Sequence, residues 1–381
     1  MSVFHYFDNA ATTQVRPEAA QAALEAMTQE WGNPSSVYQF GGRAAALVKN
    51  GRRDVAQALG CQPEEVYFTS CGTESDNWAI RSGVELNRRK GKHIITTAIE
   101  HAAVLEPCRE LERQGWEVTY LAPDKQGRID PSQLEAALRE DTVLVSMMLV
   151  NNELGTVLPV KEAARAIKRS GCPALLHCDA VQGFLKVPFT PKELGVDLLS
   201  VSGHKIHAPK GIGALYIKKG LKLPPMIRGG GQESGLRSGT EATGQIAALA
   251  AAARLGRETM EADLKHMAAL REETAVRLKA QVPGLKVLVE QGAPHILPVT
   301  MPGYKSEVVV RYLSDRGVYL SSGSACHKGK PSHVFAALKL PKAELDGALR
   351  ISFSAETGEE DVEALVQALA AARNELFPTM S

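Results

Sequence analysis

Short apolar runs and longer amphipathic stretches alternate along the chain from residue 65 onward. Residues 65–69, 93–97, 116–121, 142–148, 174–179, 196–202 and 213–217 read as strands, rich in Val, Ile, Leu and Thr. The stretches 73–89, 102–114, 131–139 and 160–170 read as helices between them, the third with Asp130 as N-cap and Pro131 at its first position. Nearly continuous apolar strands separated by amphipathic helices predict a mostly parallel sheet covered on both faces. The pattern then changes. A long Ala-rich helix is expected over 243–281, followed by strands at 286–289 and 295–301, a helix at 306–316 and a strand at 348–353. These suit a smaller α+β unit.

Composition narrows the function. Lys+Arg 44 against Asp+Glu 43 gives a formal charge of +1, which argues against a nucleic-acid binder held by bulk charge, and the basic run 88–92 reads as a solvated helix end. The apolar run 246–253 stops at Arg254, too short for a membrane span, and residues 1–9 show neither a basic region nor a long apolar core. A cytoplasmic protein is expected. Cysteines at 61, 71, 108, 172, 178 and 326 form no CxxC pair, so neither a disulfide framework nor a metal site is expected.

An open α/β sheet binds its ligand beyond the carboxyl ends of its strands. Lys205 follows the strand at 196–202 in a loop of small residues, flanked by Ser202 and His204. It is either a solvated loop lysine or an amine able to join a carbonyl, given surroundings that lower its pKa from about 10.4. Asp179 ends another apolar strand, either as a cap for the next segment or as a carboxylate for a protonated ring nitrogen. Gly72 and Thr73 open a helix directly after a strand, an arrangement that offers free N–H groups to an anion. Neither GxxxxGK[ST] nor GxGxxG accompanies them, and Gly229–Gly231 reads as a flexible loop, so a nicotinamide enzyme is not expected.

Lysine, aspartate and anion cradle together resemble the cysteine desulfurases of the NifS/IscS type, class V members of the fold-type I pyridoxal phosphate enzymes. The resemblance runs through Tyr6–Thr13, Gly32–Ser36, Thr73–Asn77, Glu100–His101, Val150–Gly155, His177–Ala180, Ser202–Lys205, Arg237–Thr240, Ser321–Cys326 and Leu349–Ser352. It implies a large α/β domain at 15–255 with a mostly parallel seven-stranded sheet. A small α+β domain at 256–381 would carry the Cys326 loop and Arg350, joined by residues 1–14. It also implies that Lys205 holds pyridoxal 5′-phosphate and moves the substrate Cα proton, and that Asp179 pairs with the ring nitrogen. Gln182 would donate to the ring oxygen, and His101 would stack on the ring, a role to be weighed against plain helix capping. Gly72, Thr73, Ser202 and His204 would hold the phosphate, with Thr240 reaching the phosphate of a second copy in a homodimer. Arg350 would clamp the substrate carboxylate, assisted by Asn33 and Asn152, the latter near the ring.

By the same resemblance, Cys326 takes the sulfur of L-cysteine as a persulfide, releases alanine and passes the sulfur to an acceptor protein. An unperturbed thiol is only about 3% thiolate at pH 7, and His327, Lys328 and Lys330 follow Cys326 closely. The segment 327–333 is shorter than in many relatives of this type, and a loss of roughly two residues removes up to about 7 Å of reach. Weak or no binding to an iron–sulfur scaffold is therefore expected, also because the chain ends without a docking tail. A pull-down with such a scaffold checks it. The acceptor stays open among iron–sulfur assembly, tRNA thiolation and cofactor synthesis. A selenocysteine lyase is the alternative reading, ahead of a class V aminotransferase or a non-catalytic scaffold.

Overall fold

The computed structural model describes residues 4–322 and 332–378. After a short strand β1 (His5–Tyr6), two helices lead into the main unit, α1 (Pro17–Thr28) and α2 (Gln39–Leu59). Strands and helices then alternate: β2 (Val66–Thr69), α3 (Gly72–Asn87), β3 (His93–Thr97), α4 (Ala102–Arg113), β4 (Glu117–Leu121) and α5 (Pro131–Ala137). They continue as β5 (Thr142–Ser146), α6 (Val160–Ser170), β6 (Leu175–Asp179), α7 (Pro191–Leu194), β7 (Leu198–Ser202) and β8 (Gly213–Ile217). The seven strands form one sheet in the order β2-β8-β7-β6-β5-β3-β4. Only β8 runs against its neighbours, so the sheet is the mostly parallel one the pattern predicts. Every residue of β3, β5, β7 and β8 is buried, as expected for strands covered on both faces.

The helix α8 (Thr243–Gln281) leaves this sheet, and β9 (Lys286–Val287), β10 (Ile296–Thr300), α9 (Ser306–Ser314) and β11 (Val318–Tyr319) follow it. Then come α10 (His333–Ala337), α11 (Lys342–Asp346), β12 (Ala348–Ser352) and α12 (Glu359–Glu375). A second sheet orders as β12-β10-β9, and β1 pairs in parallel with β11. A separate core gathers here around Phe7, Leu270, Val299, Leu313, Phe353 and Leu365, so the N-terminal strand packs with C-terminal elements. Phe7 and Phe353 meet edge to face at 5.9 Å.

The pattern leaves α1, α2 and α12 unread. Gly41, Gly42 and Gly51 lower the helix propensity of α2, yet tertiary packing needs two of them. A Cβ at Gly41 would stand 2.4 Å from the Ser36 carbonyl oxygen, and one at Gly51 would stand 2.9 Å from Ile246 Cγ2. The strand expected over 142–148 stops at Ser146, because Met148 N–H turns to donate to Glu100 Oε1 at 2.9 Å. The helix expected to reach residue 89 ends at Asn87, whose amide donates to Pro173 O at 2.8 Å. No described helix is long and apolar enough to cross a membrane.

Candidate active site

The carboxyl ends of β2, β3, β5, β6 and β7 lie along one edge of the sheet. A cavity of about 250 Å³ opens there, lined by Gly72, Thr73, His101, Asn152, Asp179, Gln182, Ser202, His204, Lys205 and Arg350. Lys205 ends a tight turn that begins directly after β7. A Cβ at Gly203 would stand 2.8 Å from Ile212 Cγ2, so the turn needs glycine there. Lys205 Nζ donates to the carbonyls of Ala10 and Ala11, each at 2.7 Å. Burial, helped by the Arg350 charge, lowers its pKa to about 8. The solvated-lysine reading is thereby set aside.

The local cap at Asp179 leaves its carboxyl on the cavity. Its Oδ1 accepts from Val181 N–H at 2.9 Å, which shapes the next turn, while the carboxyl lines the cavity. Burial raises its pKa against the pull of His101 and Lys205. His101 caps α4, with Nδ1 accepting from Ala103 N–H at 3.1 Å, and also lines the cavity. Surrounding protein atoms hold its imidazole below the ordinary value. A neutral ring whose Nδ1 accepts carries its proton on Nε2.

The anion cradle has the features a phosphate needs. No side chain caps the N-terminus of α3, and the buried Ser202 Oγ has no hydrogen-bond partner. A Cβ at Gly72 would fall 2.7 Å from Val181 Cγ2 and 3.9 Å from Ser202 Oγ, so glycine keeps the space open. His204 Nδ1 lies 3.2 Å from Thr12 Oγ1, and burial lowers its pKa to about 4, which makes it a neutral donor.

Arg350 approaches from β12. Its Nη1 donates to Asn152 O at 2.9 Å and its Nη2 to Asp8 Oδ1 at 2.6 Å. The Arg350 Nε and the Asn152 Oδ1 are both buried without partners, ready for an incoming polar group. Gln182 Nε2 donates to Ala10 O at 2.8 Å, and its Oε1 meets His295 Nε2 at 3.3 Å.

Two expected residues stay outside this cavity. Asn33 is exposed, its Oδ1 accepting from Ser35 N–H at 2.9 Å, and Thr240 is exposed ahead of α8. Cys326 lies outside the described residues. Other members of the site were not singled out from the sequence: Asp76, the Ala10 and Ala11 carbonyls, and Asp8, which pairs with Arg350. Asp8 and Asp76 fall within the recognised stretches 6–13 and 73–77, and that was the available signal. No cluster of His, Cys, Asp or Glu among the described residues has the arrangement to hold a metal ion.

The model of the aminotransferase class-V family matches residues 5–365. The chain is 43% identical over 365 residues to a cysteine desulfurase IscS of Methanosarcina thermophila, covering 95% of this chain and 90% of the relative. Among solved structures, a NifS-like protein superposes with a TM-score of 0.93 at 36% identity, covering 98% of this chain and 100% of the other. SspA in complex with cysteine superposes with a TM-score of 0.81 at 34% identity, covering 93% and 100%.

Proposed function

The chain belongs to the aminotransferase class-V family and is a cysteine desulfurase, and we propose that it turns L-cysteine into L-alanine with Lys205, His101 and Cys326 as its catalytic residues. The observation that carries this reading is the largely buried Lys205 amine sharing one cavity with Asp179, His101 and Arg350.

Enzymes of this family use pyridoxal 5′-phosphate, and the site fits it. The uncapped helix α3, Gly72, Thr73, the partnerless Ser202 hydroxyl and neutral His204 suit the phosphate, with Thr240 of a second copy in a homodimer completing the cradle. Asp179 suits the ring nitrogen, Gln182 the ring oxygen, His101 the ring face and Asn152 its edge. When bound, this group supplies an electron-withdrawing ring that loosens the substrate Cα proton and the bond from Cβ to sulfur.

The chain's own residues do the rest. With a pKa of about 8, Lys205 is free amine in about a tenth of molecules at pH 7, far more than an ordinary lysine. It is thus able to take and return the proton at the substrate Cα. Cys326 attacks the substrate sulfur as thiolate. The S–S bond forms as the C–S bond breaks, the electron pair goes to Cβ, and a proton there completes alanine. The persulfide left on Cys326 is then passed to an acceptor protein, a cytoplasmic one on this reading. Equal amounts of alanine and transferable sulfur are expected from purified protein, L-cysteine and the cofactor; no alanine above background would overturn the assignment.

Arg350 holds the substrate carboxylate, with Asn152 assisting. Its fork already serves Asp8 and the Asn152 carbonyl and leaves Nε open, so one planar group meets three acceptors. Lysine has no such fork. Arg350→Lys is expected to raise KM for L-cysteine roughly 10²-fold, the loss of a charge-assisted contact, with cofactor affinity within about twofold of the parent by fluorescence titration.

A further inference from the structure

Beside Asp179 the cavity holds a second acid that the reaction above does not use. Asp76 lies one turn into α3 from Gly72, is 1% exposed, and lines the same cavity as Asp179 and Lys205. Its Oδ1 has no hydrogen-bond partner, and Ser200 is a polar neighbour of the carboxyl. The Ser200 hydroxyl also meets His177 Nε2 at 3.0 Å, and His177 Nδ1 meets Ser146 Oγ at 2.8 Å. Alternation along β6 puts His177 and Asp179 on one face, and Ser200 stands opposite Asp179 in the β6–β7 ladder.

His177 Nε2 lies 3.5 Å from Asp76 Oδ1, which would be an ion pair if both groups were charged. Burial instead lowers the imidazole to about 3, so His177 is neutral at physiological pH. The other groups facing Asp76 are Asp179, Glu100 and the Cys71 thiol, with the buried Cys178 thiol close by. None of these is a cation. Glu100 is itself buried and raised to about 8, its Oε1 accepting from Thr97 Oγ1 and Met148 N–H. The cation of the site, Lys205, acts on Asp179, which also has the Val181 N–H. Two neighbouring buried carboxyls do not readily both ionise, and the better-supported charge is that of Asp179.

We propose that Asp76 is a positioning residue that holds the proton of this acid pair, so that Asp179 alone stands ionised toward the ring nitrogen. The proposal rests on the role given to Asp179 above. It carries a pH signature. A carboxyl raised in the folded state binds a proton that the unfolded chain has released above about pH 4, so its stabilisation fades as pH rises through the folded value. Asp76→Asn keeps shape and neutrality but has no proton to lose.

The test compares urea unfolding of cofactor-free wild type and Asp76→Asn between pH 5 and 7. The ratio of their unfolding constants, wild type over variant, is expected to rise close to tenfold per pH unit. A ratio that stays flat means Asp76 is already ionised and overturns the proposal. If the variant does not fold, infrared spectra of wild type loaded with cofactor and labelled with ¹³C-aspartate decide. A protonated aspartic acid carbonyl band at pH 7 supports the assignment, and its absence refutes it. Wild type that stays colourless with pyridoxal 5′-phosphate would remove the ring partner and defeat the reading of Asp179, while the unfolding ratio would still report where the proton sits.

Discussion

Lys205→Ala is expected to lower alanine formation by roughly 10³–10⁴-fold or more, because it deletes both the amine that holds the cofactor and the group that moves the Cα proton. The same substitution has a readout that needs no turnover. In the folded chain Lys205 titrates near 8, against about 10.5 in the unfolded chain. Between those values the unfolded state binds more protons, so wild-type stability rises with pH relative to the variant. The gain is complete above the unfolded value and is lost as pH falls through 8. The span corresponds to an order of 3 kcal/mol. Denaturant titrations of both cofactor-free proteins at pH 7.5 and 10.5 measure it, and equal pH dependence in the two would mean that the amine is not buried as described. Folding of the variant is expected to survive, since a desolvated amine is costly and alanine removes that cost.

Much of the fold was legible because burial on both faces writes itself as uninterrupted apolar strands. The bounds of β3, β8, α6 and α8 match the pattern to the residue. Asp130 caps α5 as read, its Oδ1 accepting from Ser132 N–H at 2.9 Å, yet the helix stops at Ala137. Leu138 is extended, and Arg139 is held by Asp141 and Thr142. The same principle explains the site residues that were visible: a charged or small polar side chain at the end of an apolar strand has few structural reasons to be there.

What the sequence did not disclose depends on contacts across long separations. Asp8 and Arg350 are 342 positions apart, and long-range contacts such as the pairing of β1 with β11 and of Asp8 with Ser352 bring them together. Asp76 on α3 meets His177 on β6 through packing that no local spacing announces. Residues with a local role were hardest to weigh. Asp179 and His101 each satisfy a local backbone N–H and also line the cavity, so the local role does not exclude the chemical one proposed for each.

Cys326→Ala separates sulfur transfer from everything that precedes it. Lys205, Asp179 and Arg350 line the cavity, and the thiol is needed only once cofactor and substrate are in place, so cofactor uptake and L-cysteine binding are expected to stay within about twofold of wild type. Alanine formation from L-cysteine is expected to fall by about 10³-fold, on the scale of losing an activated nucleophile, because no thiolate remains to take the sulfur as the C–S bond breaks. Selenocysteine makes the contrast sharper. Its selenium is a better leaving group and needs less help from an attacking thiolate, so the variant is expected to keep much more of any selenocysteine activity than of its cysteine activity. Following alanine from both amino acids with both proteins distinguishes three outcomes. Loss confined to cysteine assigns the persulfide to Cys326. Equal loss with both makes residue 326 part of the common machinery, and no loss with either removes it from the reaction and leaves sulfur departure to a group among the cavity residues themselves.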